Sequence, residues 1–180
     1  MNFVQQIVES HGGEYSQEPL KRVHSPKGLI TYQPKRGKIE VNGTQIEIHF
    51  KESGGVSGSV EPIRIILKLK NDIKNNLSIY PSTYLNYLTD LLAQPKNLNI
   101  PKEIKQQFSF RGDKELIKKI VADSRFCSSI LNEFIYISLF RSKPRQIILT
   151  PEYGLESVEH FNKLITALII IEGKIKEVPR

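Results

Sequence analysis

Asn42-Gly43 sits between two runs of strand-forming residues, 38–41 and 44–50. A two-residue hairpin loop of type I′ needs positive φ at both central positions, and Asn-Gly is the pair that meets this at least cost. In the second run Ile46, Ile48 and Phe50 alternate with Gln45, Glu47 and His49. Side chains alternate across a strand, so one face of this arm is buried and the other wet. Antiparallel pairing is therefore expected from 38 to 50, with Val41 opposite Thr44 and Ile39 and Ile46 on connected strands.

A second stretch carries the main functional lead. In 134–140, Ile135, Ile137 and Leu139 point one way, and Phe134, Tyr136 and Phe140 the other. A surface hairpin has one polar face, and this run has none. Either the strand is central to a covered sheet, or its aromatic face is kept for a partner. The turn that follows adds Arg141, Lys143 and Arg145, and a second strand is expected over 145–150.

The rest of the chain supplies further elements. Residues 2–10 read as a short amphipathic helix with Phe3, Val4, Ile7 and Val8 on one face, stopped at His11-Gly12-Gly13. Residues 14–28 read as an irregular lead-in, and 29–32 as a strand broken by Pro34. A flexible glycine loop, 53–59, precedes a strand over 62–70, and 77–80 is expected at a sheet edge. A helix is expected over 81–93. Prolines at 95 and 101 make 94–101 the best internal boundary. Then come a strand at 107–111, a helix over 113–122 capped by Asp113, a short helix over 124–131, and a last helix opening between 150 and 155 and ending at Gly173. Strands gathered early, helices interleaved later and no regular βαβ alternation indicate an α+β fold. It is expected to be an antiparallel sheet of β-hairpins packed by three to four helices. One domain over 1–180 is expected, with 94–101 the place where two lobes would meet.

Composition narrows the function classes. With 39% hydrophobic and 25% charged residues the chain is ordinary for a globular protein and not for a disordered one. The net charge of +7 permits attraction to nucleic acid without requiring it. The N-terminus has no basic segment leading into a long apolar one, and the longest apolar run, 167–171, is too short to span a bilayer. No membrane role is expected. Cys127 is the only cysteine, which excludes an intrachain disulfide and agrees with a reducing, cytoplasmic location.

No constellation fixes a reaction. Glu47 and His49 share the wet face of a strand, and Glu156 and His160 one face of the last helix. Two ligands do not make a zinc site, which needs three or four. Cys127 follows a predicted helix start, but nothing places a base beside it, so it reads as a structural thiol. The glycine loop lacks the Lys-Ser/Thr ending of a phosphate-binding loop. Arg111-Gly112-Asp113 reads as a strand-to-helix turn. The basic residues form three groups: Arg64, Lys68 and Lys70 on one strand; Lys114, Lys118 and Lys119 on a helix; Arg141, Lys143 and Arg145 at the turn.

The expected function is a non-catalytic binding or regulatory module that works through protein–protein contact, with a protein partner or a second copy and no cofactor. The expected contact surface is Phe134, Tyr136, Phe140, Arg141, Lys143 and Arg145. Two alternatives stand beside it: nucleic-acid binding through a basic surface, and an enzyme whose site assembles from scattered residues such as Glu47 and His49.

Overall fold

A computed structural model describes residues 3–25, 28–54, 61–70, 73–82, 99–139 and 145–178. Nine strands among the described residues form one sheet: β1 (Glu14–Gln17), β2 (Lys21–Ser25), β3 (Gly28–Val41), β4 (Thr44–Gly54), β5 (Glu61–Lys68), β6 (Leu77–Pro81), β7 (Phe108–Gly112), β8 (Ile135–Leu139) and β9 (Gln146–Pro151). The helices among the described residues are α1 (Phe3–Ser10), α2 (Lys102–Gln107), α3 (Lys114–Val121), α4 (Ser124–Ile130) and α5 (Val158–Glu177). The sheet order is β1-β3-β4-β5-β9-β8-β6-β7, with β2 also on β3, and every pairing is antiparallel. The fold is α+β, with five helices among the described residues where three to four were expected. The helix expected over 81–93 falls mostly outside the described residues, as do most of the glycine loop and positions 94–98 of the expected boundary.

The β3–β4 hairpin has the expected turn. Asn42 has φ 52° and Gly43 φ 75°, both left-handed, and Val41 pairs with Thr44 and Ile39 with Ile46. Pro34 does not break β3. The Pro34 carbonyl accepts the Glu18 N–H at 2.9 Å, so its nitrogen also points to that outer side, away from β4. Pro34 falls in the gap between β1, which pairs with 35–38, and β2, which pairs with 28–32. A missing donor costs no ladder bond there.

The residues expected to be an irregular lead-in form β1 and β2. Both are short, polar and exposed strands on the outer side of β3, so they carry no apolar alternation to read. The segment expected at an edge, β6, is interior and lies between β8 and β7. The last helix starts later and ends later than expected. Ser157 caps α5 by accepting the His160 N–H at 3.0 Å, and the helix runs through Gly173 to Glu177. Ile175 and Val178 pack on the core beyond that glycine, and Glu172 is held by Thr44 (2.9 Å) and Lys176 (3.0 Å). These contacts outweigh the roughly 1 kcal/mol cost of a helical glycine.

The helices and one sheet face share a single core. Ile135, Ile137, Leu139, Ile147 and Leu149 from the second half join Ile46, Ile48, Ile65 and Leu67 from the first, under Leu116, Ile120, Phe161, Leu164 and Leu168. At Gly37 a Cβ would lie 2.5 Å from Val8 Cγ2, so the absence of a side chain there lets α1 lie directly on β3.

Candidate interaction surface

The same alternation that buries Ile135, Ile137 and Leu139 turns Phe134 and Tyr136 to the opposite face of the sheet. They are 49% and 46% exposed. Tyr153, in the turn after β9, is 76% exposed and meets Phe134 edge-on, with ring centroids 5.3 Å apart. The Phe134 carbonyl accepts the Glu152 N–H at 2.8 Å, which draws the turn against the start of β8. Burial raises the Tyr136 phenol above its usual range, and the nearby carboxylate of Glu152 raises it further. The cluster is thus three aromatic rings with a negative charge beside them.

Its relation to the basic turn is a matter of strand direction. Ile135 pairs with Pro151, and Leu139 with Ile147. Phe134 and Tyr153 therefore sit at one end of the β8–β9 hairpin, and Arg145 at the other. Six residues of strand between Arg145 and Pro151 span about 20 Å. The Arg145 carbonyl accepts the Leu69 N–H at 2.9 Å. Phe140, Arg141 and Lys143, also expected in this surface, lie outside the described residues.

The other basic groups separate in space. Lys114 and Lys118 are exposed on α3, which packs on the covered face of the sheet. Lys119 donates to the Glu177 carbonyl, and Lys70 donates to the Gly43 carbonyl at 2.8 Å. Arg64 and Lys68 lie on the opposite sheet face. There the register sets Arg36 opposite His49 and His49 opposite Arg64. His49 Nε2 is 3.2 Å from a Glu47 carboxylate oxygen, and Lys68 is 3.4 Å from the same oxygen. Burial holds the His49 imidazole below its usual pKa; Glu47 works against this, while Arg36 and Lys68 reinforce it.

The second Glu–His pair is not the one expected from spacing. His160 Nδ1 accepts the Glu156 backbone N–H at 3.2 Å, so the proton sits on Nε2, which donates to Glu133 at 2.9 Å. Lys163 reaches the other Glu133 oxygen. With both ring nitrogens engaged, His160 clips α5 to the segment before β8. Cys127 Sγ donates to the Val121 carbonyl at 3.4 Å, and burial and then Asp123 push its thiol pKa up. That arrangement is the reverse of an activated nucleophile. Asp113 caps α3 as expected, accepting the Leu116 N–H at 3.0 Å.

Tyr153, Glu133 and the Arg36–His49–Arg64 row are not evident from sequence. Tyr153 occupies a turn with no periodicity, and the other groups depend on registers between strands or helices distant in the chain. No helix among the described residues is long and apolar enough to cross a membrane. No family model, no curated protein and no solved structure matches the chain.

Proposed function

We propose that this protein is a non-catalytic binding module that makes protein–protein contact through the Phe134–Tyr136–Tyr153 end of its sheet. The observation that carries the reading is the exposure of three aromatic rings at one place while the opposite face of β8 is wholly buried. Contiguous exposed apolar surface is rare in soluble proteins without a use, and aromatic rings are enriched at the centres of interfaces. Glu152 beside Tyr136 favours a protein over a phosphate backbone, which it would repel. A lone, unactivated Cys127 agrees with a cytoplasmic setting.

Hydroxyl-radical footprinting tests this. Oxidation of Phe134, Tyr136 and Tyr153 is compared between dilute pure protein, concentrated pure protein and an extract of its own cells. Protection is expected in one of the last two, and should persist at about 0.5 M salt, where exposed charge pairs are screened. Protection on concentration alone identifies the partner as a second copy. Equal oxidation in all three conditions overturns the proposal.

A further inference from the structure

We infer a second binding surface on the same sheet face, a cationic row across β3, β4 and β5 that takes single-stranded nucleic acid. The row is Arg36–His49–Arg64, set side by side by the register. At about 4.8 Å per strand it spans roughly 10 Å at the backbone. Lys38 and Lys51 flank it on the same face, two residues from Arg36 and His49 along their strands. The His49 imidazole is held below its usual pKa, so the charge of the row rests on Arg36 and Arg64 at its two ends, with Lys38 and Lys51 beside them. The internal counter-charges reach only part of the row. Glu18 takes Arg36 at 2.8 Å and Glu47 takes His49 and Lys68, while Lys38 and Arg64 have no ion-pair partner among the described residues.

Cations alone would suit any polyanion. The face also carries one partly buried aromatic ring: Tyr32 lies two residues from Pro34 and four from Arg36 on the same side of β3, with the Lys51 ammonium 5.3 Å from its ring centre. Sequence-tolerant single-strand binding combines a basic track with aromatic rings on which bases stack. Pairing between β5 and β9 carries the row on toward Thr150 and Tyr136. The nucleic acid would therefore lie beside the proposed protein contact and use different side chains.

Fluorescence anisotropy with a labelled oligothymidylate of about 12 nucleotides tests the inference, since a single strand of that length spans the site sizes known for such surfaces. The wild type should bind at about 50 mM salt and weaken steeply as salt rises. Arg36→Ser/Lys38→Ser/Arg64→Ser should weaken binding at least tenfold and flatten the log–log salt slope by about 2, or roughly 0.7 per lost phosphate contact. The charge-matched Lys102→Ser/Lys114→Ser/Lys118→Ser variant, altered on the helices, should bind within about twofold of wild type because it leaves the row intact. Tyr32→Ala should cost at least about fivefold through lost stacking. Arg64→Glu alone, at an exposed position, repeats the test if the triple variant unfolds.

Absence of binding at low salt overturns the inference, and so does equal weakening by the two triple variants. If polyglutamate competes as well as unlabelled oligonucleotide and Tyr32→Ala is silent, the row takes acidic polypeptide and the nucleic-acid assignment is wrong. Loss of the aromatic cluster leaves this experiment unaffected, so the two proposals fail separately.

Discussion

His49 illustrates how far a residue's chemistry depends on what the fold sets beside it. Its own strand supplies Glu47, which favours the charged imidazole. Burial works most strongly the other way, and Arg36 and Lys68 on the neighbouring strands add to it. The net result is a lowered pKa, so below about pH 6.5 the unfolded chain binds more protons than the folded one. Stability should therefore fall as pH drops through that value, and His49 should contribute no such loss above it. His49→Gln should remove this part of the pH dependence. Urea midpoints for wild type and variant at about pH 5.5 and 7.5 check the sign, the two differing most at the acid end. An equal or larger acid loss in the variant would show that burial and cations do not set this group. His160 teaches the same lesson. Spacing sets it beside Glu156 on one helix face, whereas packing gives it to Glu133 from a distant segment, and Cys127, expected as a structural thiol, donates to the Val121 carbonyl.

At the level of elements, legibility follows burial. The β3–β4 hairpin and α3 could be read because each buries one face and exposes the other, and because Asn-Gly and Asp113 mark a turn and a cap by local chemistry, whereas β8, apolar on both faces, was legible as a strand but not for which face is open. α5 is legible in its middle, where Phe161, Leu164, Ile165, Leu168 and Ile171 are buried, and less so at its ends, where Ser157 competes with other candidate starts and the contacts past Gly173 are tertiary. Its core face and the open face of β8 should respond differently to truncation. Leu168→Ala, at a fully buried position, should cost about 2–5 kcal/mol. Tyr136→Ser, half exposed, should leave the isolated protein within about 1 kcal/mol of wild type. Denaturant unfolding of the pure variants at low concentration checks both. A Tyr136→Ser loss as large as that of Leu168→Ala would mean that the aromatic face serves the fold rather than a partner.

For the whole molecule, the decisive contact is β5 with β9. It splices the strands of the first half onto those of the second, with Ile66 opposite Ile148 and Leu67 opposite Ile147. Core residues on both sides of that seam belong to one cluster. Two lobes would unfold separately only if the seam were weak. Here a continuous sheet and a shared helix layer cross it, so a single transition is expected. Thermal unfolding followed by far-ultraviolet circular dichroism and by tyrosine fluorescence should give coincident curves. Separate transitions would instead favour two lobes.

Amphipathic alternation, the Asn42-Gly43 turn, the Asp113 cap and the absence of βαβ order were enough by themselves to indicate an antiparallel α+β fold and which face of β4 is buried. These depend on interactions within a few residues, and the sequence records such spacings directly. Only the tertiary structure decided that β6 is interior, that β1 and β2 exist, that Arg36, His49 and Arg64 form a row, and that Phe134 faces Tyr153 rather than Arg145. Each of these depends on which strands become neighbours and in what register. That choice is made by the summed burial of a shared core, and no short stretch of the chain carries it.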